Sequence, residues 1–170
     1  MTLATESWKG VPGASGIVSR GNISNLPAMP TWTIMAWLLV GSELTNWYGL
    51  FYRDAETRFG AELSPALGGN DPVLNWWSSA EGDYSFSWGL PINGWQHLAW
   101  VFDGTTHQLY VNGTAVTPRS GLGTTGAFSA GSYTFNVNSG TGILAMDDLR
   151  IFNGVLTQSE VVSYMNQDVQ

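Results

Sequence analysis

The chain contains no cysteine among its 170 residues, so neither disulfides nor thiolate metal ligands contribute to its structure. Basic residues are also few, since 6 Lys and Arg stand against 13 Asp and Glu and give a formal net charge of −7. That charge disfavours attraction to nucleic-acid phosphates and to anionic membranes. The longest apolar run, from Ile34 to Val40, is too short to cross a bilayer. We therefore expect no nucleic-acid partner and no membrane insertion.

No secretory signal is visible at the N-terminus, because the first residues lack a basic start and an apolar core. Aromatic residues, in contrast, reach 13% of the chain and include 9 Trp, whereas charged residues make up only 11%. Much of the surface must then consist of Ser, Thr, Asn and Gly. A chain of this length suits one domain that buries about two-thirds of its unfolded surface. This composition is typical of a β-sandwich or of an extracellular binding protein.

A β-hairpin is predicted over residues 94–113. Two strand-like runs flank an Asp103-Gly104 turn signal, and Asn112-Gly113 reverses the chain again into a short third run. Alternation puts Leu98, Trp100 and Phe102 on one face of the first run. We expect this hairpin to be scaffold, with Asp103 and Asn112 serving its turns.

Residues 31–40 are predicted to form a central strand, because both of their alternating faces are apolar. Trp32, Ile34 and Leu38 share one face, whereas Met35 and Trp37 share the other. A sandwich strand needs only one core face. The second face must therefore be covered by loops or a partner, or form part of a concave binding surface.

The rest of the chain predicts about ten strands in all and one short C-terminal helix. A capping box is predicted from Thr157 and Glu160 at the start of that helix. The fold class that follows is all-β, a two-sheet antiparallel jelly-roll sandwich over residues 15–170 after an N-terminal arm over residues 1–14. The remaining strands are expected at residues 16–20, 47–53, 57–63, 73–78, 83–88, 132–138 (with Tyr133, Phe135 and Val137 inward) and 143–152, with a loose Gly-rich segment at 119–131.

The hairpin residues Trp95-Gln96-His97-Leu98-Ala99 and Leu109-Tyr110-Val111-Asn112-Gly113 resemble the signature of laminin-G-like domains in the concanavalin A-like lectin/glucanase group. The strand ending in Ala36-Trp37 and the segment from Met146 to Asn153 are similar to the family's early and closing strands. These matches keep the family's order over residues 31–165. The resemblance implies a sandwich of which most members are binding modules and only some relatives are enzymes.

Catalysis by a strand-borne acid pair is not expected. The resemblance implies a Glu-x-Asp-x-x-Glu strand in those relatives that are glucanases, where alternation brings the carboxylates to one face. The nearest match here has Glu81 and Asp83 at the first two acidic positions but Phe86 in the place of the final Glu. Asp147 and Asp148 would face opposite sides of a regular strand. We therefore predict no catalytic residues, and a glycoside hydrolase is the disfavoured alternative.

No metal site and no cofactor are predicted. The two histidines, His97 and His107, have no recognisable nucleophile beside them and make a poor zinc set without cysteine. We expect His97 to be a satisfied structural residue and His107 to lie at a strand start in solvent. The loop at residues 68–71 offers oxygen donors but lacks the spaced carboxylates of a calcium cage.

Carbohydrate binding has the best residue support. Aromatic rings stack on the apolar faces of sugar rings while neighbouring polar groups satisfy the hydroxyls. Trp76 and Trp77 are adjacent, so in a regular strand one lies on the core face and the other on the opposite face. The competing interpretation buries the second Trp under a loop or at a protein interface. The predicted ligand-binding residues are Trp76, Trp77, Asn75, Tyr48, Tyr52 and Arg53.

The sequence thus favours a non-catalytic binding or adhesion domain with carbohydrate-binding potential. A single such domain that starts at Met1, without signal peptide or cysteine, suggests a decoration or attachment protein of a phage virion. The alternative is a carbohydrate-binding module of a secreted polysaccharide-handling system. Expected partners are a carbohydrate or a protein surface, including capsid or tail proteins, and an oligomer is compatible with the sequence. The expected location is a virion surface or the extracellular space.

Overall fold

Twelve strands and one helix make up the described part of the chain. A computed structural model describes residues 20–40, 48–53, 59–64, 73–78, 82–87, 94–121, 126–136 and 143–167. The strands are β1 (Arg20–Leu26), β2 (Trp32–Val40), β3 (Tyr48–Arg53), β4 (Phe59–Ser64), β5 (Val73–Ser78), β6 (Gly82–Ser87), β7 (Gly94–Phe102), β8 (His107–Val111), β9 (Thr114–Val116), β10 (Pro118–Gly121), β11 (Gly131–Asn136) and β12 (Ile143–Phe152), followed by α1 (Gln158–Met165).

The strands form two antiparallel sheets. One sheet has seven strands in the order β1-β11-β3-β4-β5-β6-β10, and the other has five in the order β12-β2-β7-β8-β9. Trp32 and Phe102 of the five-stranded sheet share one hydrophobic core with Phe51 and Tyr133 of the seven-stranded sheet. The rings of Phe51 and Tyr133 stack with their centroids 5.2 Å apart. The predicted two-sheet sandwich is therefore confirmed.

The alternation of β2 decides how the five-stranded sheet is buried. Its neighbours are β12 and β7, so its predicted central position is confirmed. Trp32 and Leu38 lie in the core between the sheets, with Leu98 and Trp100 of the neighbouring β7. Burial of such large side chains contributes about 2 kcal/mol each. Trp32 is fully buried, and its indole Nε1 donates a hydrogen bond to the carbonyl of Gly126.

The second apolar face of the five-stranded sheet is covered by the chain's own C-terminal segment. Met35, Ala99 and Phe152 form a second core cluster with Leu156 and with Val161 of α1. This finding resolves the open alternatives for that face, because α1 and the turn before it supply the cover. The helix starts as predicted, with the side chain of Thr157 accepting from the Glu160 N–H and the Glu160 carboxylate accepting from the Thr157 N–H.

Two hydrogen bonds also join the start of this covering segment to Thr33 of β2. The Thr33 hydroxyl, which is fully buried, donates to the Gly154 carbonyl at 2.9 Å and accepts from the Leu156 N–H at 3.0 Å. One hydroxyl thus provides a hydrogen-bond partner for two backbone groups of the covering segment. The entry of the chain into the covering segment is fixed by a side chain of the sheet it covers.

The first strand and the Gly-rich segment differ from their predictions. A strand at residues 16–20 was predicted, whereas β1 runs from Arg20 to Leu26 and pairs with β11. Asn25 has a φ of 62°, where the register between the two strands shifts, and such a break hides the strand's alternation in the sequence. Within the loose segment predicted at 119–131, Phe128 forms a bridge to Met29 and is buried in the core.

The other boundaries agree closely with the sequence-based expectations. The strand predicted at residues 132–138 is β11, Gly131–Asn136, and its Tyr133 is fully buried as expected. The inward positions predicted for Phe135 and Val137 fall outside the residues whose side chains are described. The predicted arm at residues 1–14 also lies outside the described residues.

Candidate functional site

His97 is a structural residue of the hairpin end. It is 1% exposed, and its N–H donates to the Asn112 side-chain oxygen at 2.9 Å while its carbonyl accepts from the Asn112 N–H at 2.8 Å. Asn112 in turn donates from Nδ2 to Gln96 Oε1 at 2.5 Å. Asn112 has a φ of 48°, so this turn residue closes the strand pair through its side chain.

The imidazole of His97 is held neutral. Burial, and secondarily the nearby positive charge of Arg150, lowers its pKa from 6.5 to about 4. Among the described residues its Nδ1 has no hydrogen-bond partner, and the ring lies edge-on to Trp37 at 5.3 Å. The expectation of a structural histidine is supported, although one ring nitrogen is not satisfied.

The prediction that His107 lies in solvent is wrong. His107 starts β8 as expected, but it is 3% exposed and its Nδ1 accepts a hydrogen bond from Trp100 Nε1 at 3.0 Å. Its ring also lies 4.6 Å from the ring of Phe102. Continuing the alternation back from Leu109 would have placed His107 inward. The prediction of solvent exposure gave more weight to the Asp103-Gly104 turn signal just before His107 than to this alternation.

Asp148 and Arg150 form an ion pair that sequence analysis missed. The Arg150 guanidinium donates to both carboxylate oxygens of Asp148, at 2.9 Å from Nε and 2.7 Å from Nη2. The same guanidinium donates to the carbonyls of Tyr164 and Gln167 at the end of α1. It therefore ties the covering helix to the sheet, and its planar fork suits this multiple role.

The two neighbouring acids of β12 both have hydrogen-bond partners within the sandwich. The Asp147 carboxylate accepts from the Asp148 N–H at 2.8 Å, and Asp148 has a φ of 54° where the strand register shifts. This bulge allows Asp148 to reach Arg150, two positions along the strand. Both carboxylates thus have structural partners.

Asp103 serves the hairpin turn, as predicted. Its carboxylate accepts from the Thr106 N–H at 2.7 Å and from the Thr105 N–H at 2.8 Å, and both hydroxyls also donate to it. The backbone hydrogen bond from Thr106 is the largest cause that holds the Asp103 pKa well below its usual range. Both oxygens of the Asp103 carboxylate therefore accept hydrogen bonds within the turn.

The register of the seven-stranded sheet assigns its residues to two faces. Phe51 is buried in the core and pairs with Ala61, which pairs with Trp76, which pairs with Tyr84. Directly paired residues of antiparallel strands lie on the same face of a sheet. Trp76 therefore belongs to the core face.

The opposite face of these strands carries a different set of residues. Tyr52 pairs with Gly60, Gly60 with Trp77, and Trp77 with Asp83, which makes one row across β3 to β6. The next residue of this row is Thr134 on β11, which is fully buried. The adjacent row consists of Glu62, Asn75, Ser85 and Ser120. We call this the outer face, defined by these two rows, which together extend from β3 through β4, β5 and β6 to β10.

The six predicted ligand-binding residues divide equally between the two faces. Tyr52, Asn75 and Trp77 lie in the outer-face rows. Trp76, Tyr48 and Arg53 lie in core-face rows, because Tyr48 pairs with Leu63 and Arg53 pairs with the buried Tyr133. The backbone thus brings three of the six residues together on one face, and their role in binding stays a prediction.

Asp83, the acid of the incomplete glucanase pattern, lies beside Trp77 in the outer-face row. Phe86, which occupies the place of the second acid, pairs with Leu74 in a core-face row. Glu81, the predicted loop at 68–71 and residues 54–58 lie outside the described residues. Within the described ranges no group of three or more His, Asp and Glu side chains could hold a metal ion.

The helix content adds one further finding. In the part of the chain that the structure covers, no helix has the length and apolar character needed to span a bilayer.

Several solved structures share this fold. The heptameric SAP-like pentraxin from Limulus polyphemus is 18% identical with a TM-score of 0.63, over 92% of this chain and 78% of the pentraxin. Domain 4 of AbnA, a GH43 extracellular arabinanase from Geobacillus stearothermophilus, solved with arabinotriose, is 26% identical with a TM-score of 0.55, over 82% of this chain and 70% of that domain. The botulinum neurotoxin serotype G binding domain is 16% identical with a TM-score of 0.59, and the match spans 86% of this chain but only 42% of the toxin domain.

No curated protein sequence matches the chain. A laminin-G family model, described as the concanavalin A-like lectin/glucanases superfamily, matches residues 12–162 and so covers the two-sheet sandwich and most of α1. The likeness to the pentraxin and the toxin domain is a likeness of fold, since both are below a quarter identical. The chain belongs to the concanavalin A-like lectin/glucanases superfamily.

Proposed function

We propose that the protein is a non-catalytic carbohydrate-binding domain whose ligand lies on the outer face of the seven-stranded sheet. The observation that carries this proposal is the row in which Tyr52 and Trp77 flank Gly60, with Asn75 in the adjacent row. Two aromatic residues on a sheet face beside amide and hydroxyl residues are the residue types that a sugar ring requires.

The other sheet offers no equivalent face. Its outer side is occupied by Leu156 and Val161 of the C-terminal segment, which are 2% and 0% exposed. The described helix thus lies on the five-stranded sheet, and the candidate rows belong to the sheet without it. This arrangement supports placing the ligand on the seven-stranded sheet.

Comparison with a ligand-bound relative also supports a saccharide. Domain 4 of AbnA was solved with arabinotriose, and at 26% identity it is more similar in sequence to this chain than the pentraxin or the toxin domain. We infer that the present chain acts by holding a saccharide rather than by cleaving it. The place of the second acid in the glucanase pattern, occupied by Phe86 on the core face, agrees with this inference.

A glycan array probed with the full chain tests the proposal. We expect signals for a limited group of glycans, and loss of those signals in Trp77→Ala without loss of folding by circular dichroism. The matched control is Trp76→Ala, whose effect falls on stability because residue 76 lies in a core-face row. Absence of any signal at high protein concentration would contradict the proposal.

The setting in which this binding takes place is also a proposal. We infer display on a particle surface, as a phage virion decoration or attachment protein with capsid or tail partners, or else secretion with polysaccharide-handling enzymes. A chain without cysteine does not need an oxidising compartment to reach its stable fold, which suits assembly inside a cell before release. Mass spectrometry of purified particles from the encoding host decides between these settings, since detection of the chain in them supports display and its absence contradicts it.

A further inference from the structure

Gly60 lies in the middle of the aromatic row of the outer face. It occupies the second position of β4, pairs with Tyr52 on one side and pairs with Trp77 on the other. Neighbouring strands are about 4.8 Å apart, so the two aromatic residues are separated by roughly 10 Å. Glycine weakens a strand because it has no side chain to pack, and within strands it often marks a close approach by a ligand. The row therefore has a gap of one residue between two aromatic residues.

The acidic residues of the outer face flank the same gap. Asp83 follows Trp77 in the row of Gly60, and Glu62 lies two positions from Gly60 on β4. Among the described residues of β3, β4, β5 and β6, the outer-face rows contain no basic residue, because Arg53 belongs to a core-face row. At neutral pH a carboxylate, sulfate or phosphate on a ligand would meet charges of its own sign.

From this arrangement we infer that Gly60 is the seat for one ring of a saccharide that carries no acidic group, held between Tyr52 and Trp77. This inference rests on the proposed carbohydrate-binding function and adds to it the position of the ring and the charge class of the ligand. Gly60 is then a specificity-determining residue, since the missing side chain makes the room for the ring. The net charge of −7 acts in the same direction by disfavouring anionic ligands.

A matched pair of substitutions tests the seat. Gly60→Val fills the gap with a β-branched side chain that strands accept readily. Ser64→Val adds a similar side chain to the same strand and the same face, about 13 Å from residue 60. With a glycan identified on the array, we expect Gly60→Val to weaken binding about tenfold or more and Ser64→Val to leave it within about twofold. If Gly60→Val binds the glycan as tightly as the unmodified chain does, and circular dichroism shows that both are folded, the proposed position of the ring at Gly60 is wrong.

Paired glycans test the charge class. The array should carry neutral glycans together with counterparts that differ only by oxidation of C6 to a carboxylate, and sulfated glycans beside their unsulfated forms. We expect the neutral member of each bound pair to bind about tenfold more tightly at low salt. We also expect this ratio to narrow in the double variant Asp83→Asn/Glu62→Gln, since it removes the repelling charges. Equal or tighter binding of the acidic members overturns the charge class.

The failure of this inference can be told apart from the failure of the proposed function. No glycan signal at all contradicts both. Acidic glycans bound in a manner that depends on Trp77 contradict the charge class and leave carbohydrate binding standing. Neutral glycans bound equally by Gly60→Val contradict only the position of the ring.

Discussion

The two sheets of this sandwich differ in what their outer faces carry. The outer face of the five-stranded sheet is apolar at Met35, Ala99 and Phe152, and the C-terminal helix buries it. The outer face of the seven-stranded sheet carries Tyr52 and Trp77 among amide, hydroxyl and acidic residues. An apolar face is stable only when it is covered, whereas a face of mixed aromatic and polar residues suits reversible contact with a ligand. The difference separates a structural surface from a candidate binding surface within one domain.

The largest expected effect concerns the adjacent tryptophans, which the register assigns to opposite faces. Trp76→Ala should lower the free energy of unfolding by about 4 kcal/mol, because it removes a large residue from a core-face row. Trp77→Ala should lower it by about 1 kcal/mol or less and abolish saccharide binding. Urea unfolding of both variants measures the difference. Reversed effects would show that the two faces have been assigned the wrong way round.

The second prediction concerns the attachment of the covering helix to the five-stranded sheet. Arg150 is 7% exposed and joins Asp148 to the carbonyls of Tyr164 and Gln167. Arg150→Met keeps the length of the side chain but leaves Asp148 and these carbonyls without their donor, at a cost of about 3 kcal/mol in unfolding free energy. Urea unfolding, with far-UV circular dichroism as the signal, measures the loss.

A matched control at an exposed ionic residue gives the scale for this loss. Glu160→Gln removes an exposed charge of α1 but keeps a side-chain acceptor for the Thr157 N–H, so its effect should be much smaller than that of Arg150→Met. Similar losses in the two variants would show that the helix does not depend on the Arg150 contacts.

The sequence predicted the covered face well but predicted less about what holds the cover. Alternation in residues 31–40 indicated two apolar faces because both faces of that strand are buried, and the capping residues Thr157 and Glu160 indicated where the helix begins. The ion pair between Arg150 and Asp148 was missed because it depends on the bulge at Asp148. A prediction from strict alternation contains no bulge.

The same reasoning explains what could be predicted on the seven-stranded sheet. Adjacent Trp76 and Trp77 implied one residue on each face, but only the pairing of Ala61 with Phe51 and Trp76 shows which is which. Pairing partners distant in sequence leave no local pattern. The importance of Gly60 was missed for this reason, since a strand glycine is notable only once Tyr52 and Trp77 are known to flank it.

The third prediction uses the buried histidine beneath the covered face. Burial lowers the pKa of His97 to about 4, so the unfolded chain, with a value of 6.5, takes up a proton first as the pH falls. The contribution of His97 to stability is therefore complete well above pH 6.5 and is lost as the pH falls from 6.5 to 4, by about 3 kcal/mol. Urea unfolding across this range should show the decline.

His97→Gln provides the control for this pH dependence. Glutamine does not titrate, so the variant's stability should be lower at pH 7 but flatter between pH 6.5 and 4. Asp103, whose pKa is held low in the folded chain, loses its contribution only below about pH 5, and it does so in both proteins, so it cancels in the comparison. An unchanged slope in the variant would assign the decline to another group.

The smallest expected effect concerns the start of the helix that makes the two faces different. Thr157→Ala removes the hydroxyl that accepts from the Glu160 N–H, and such a loss costs about 1 kcal/mol. Thr157→Ser retains the hydroxyl and should cost only a few tenths of that amount. Amide hydrogen exchange should show faster exchange along α1 in the alanine variant, because the cap stabilises the helix locally. It should leave β3 to β6 unaffected, since the helix lies on the other sheet. Faster exchange in both sheets would show that the cover stabilises the sandwich as a whole, and the contrast between a structural face and an independent binding face would then be wrong.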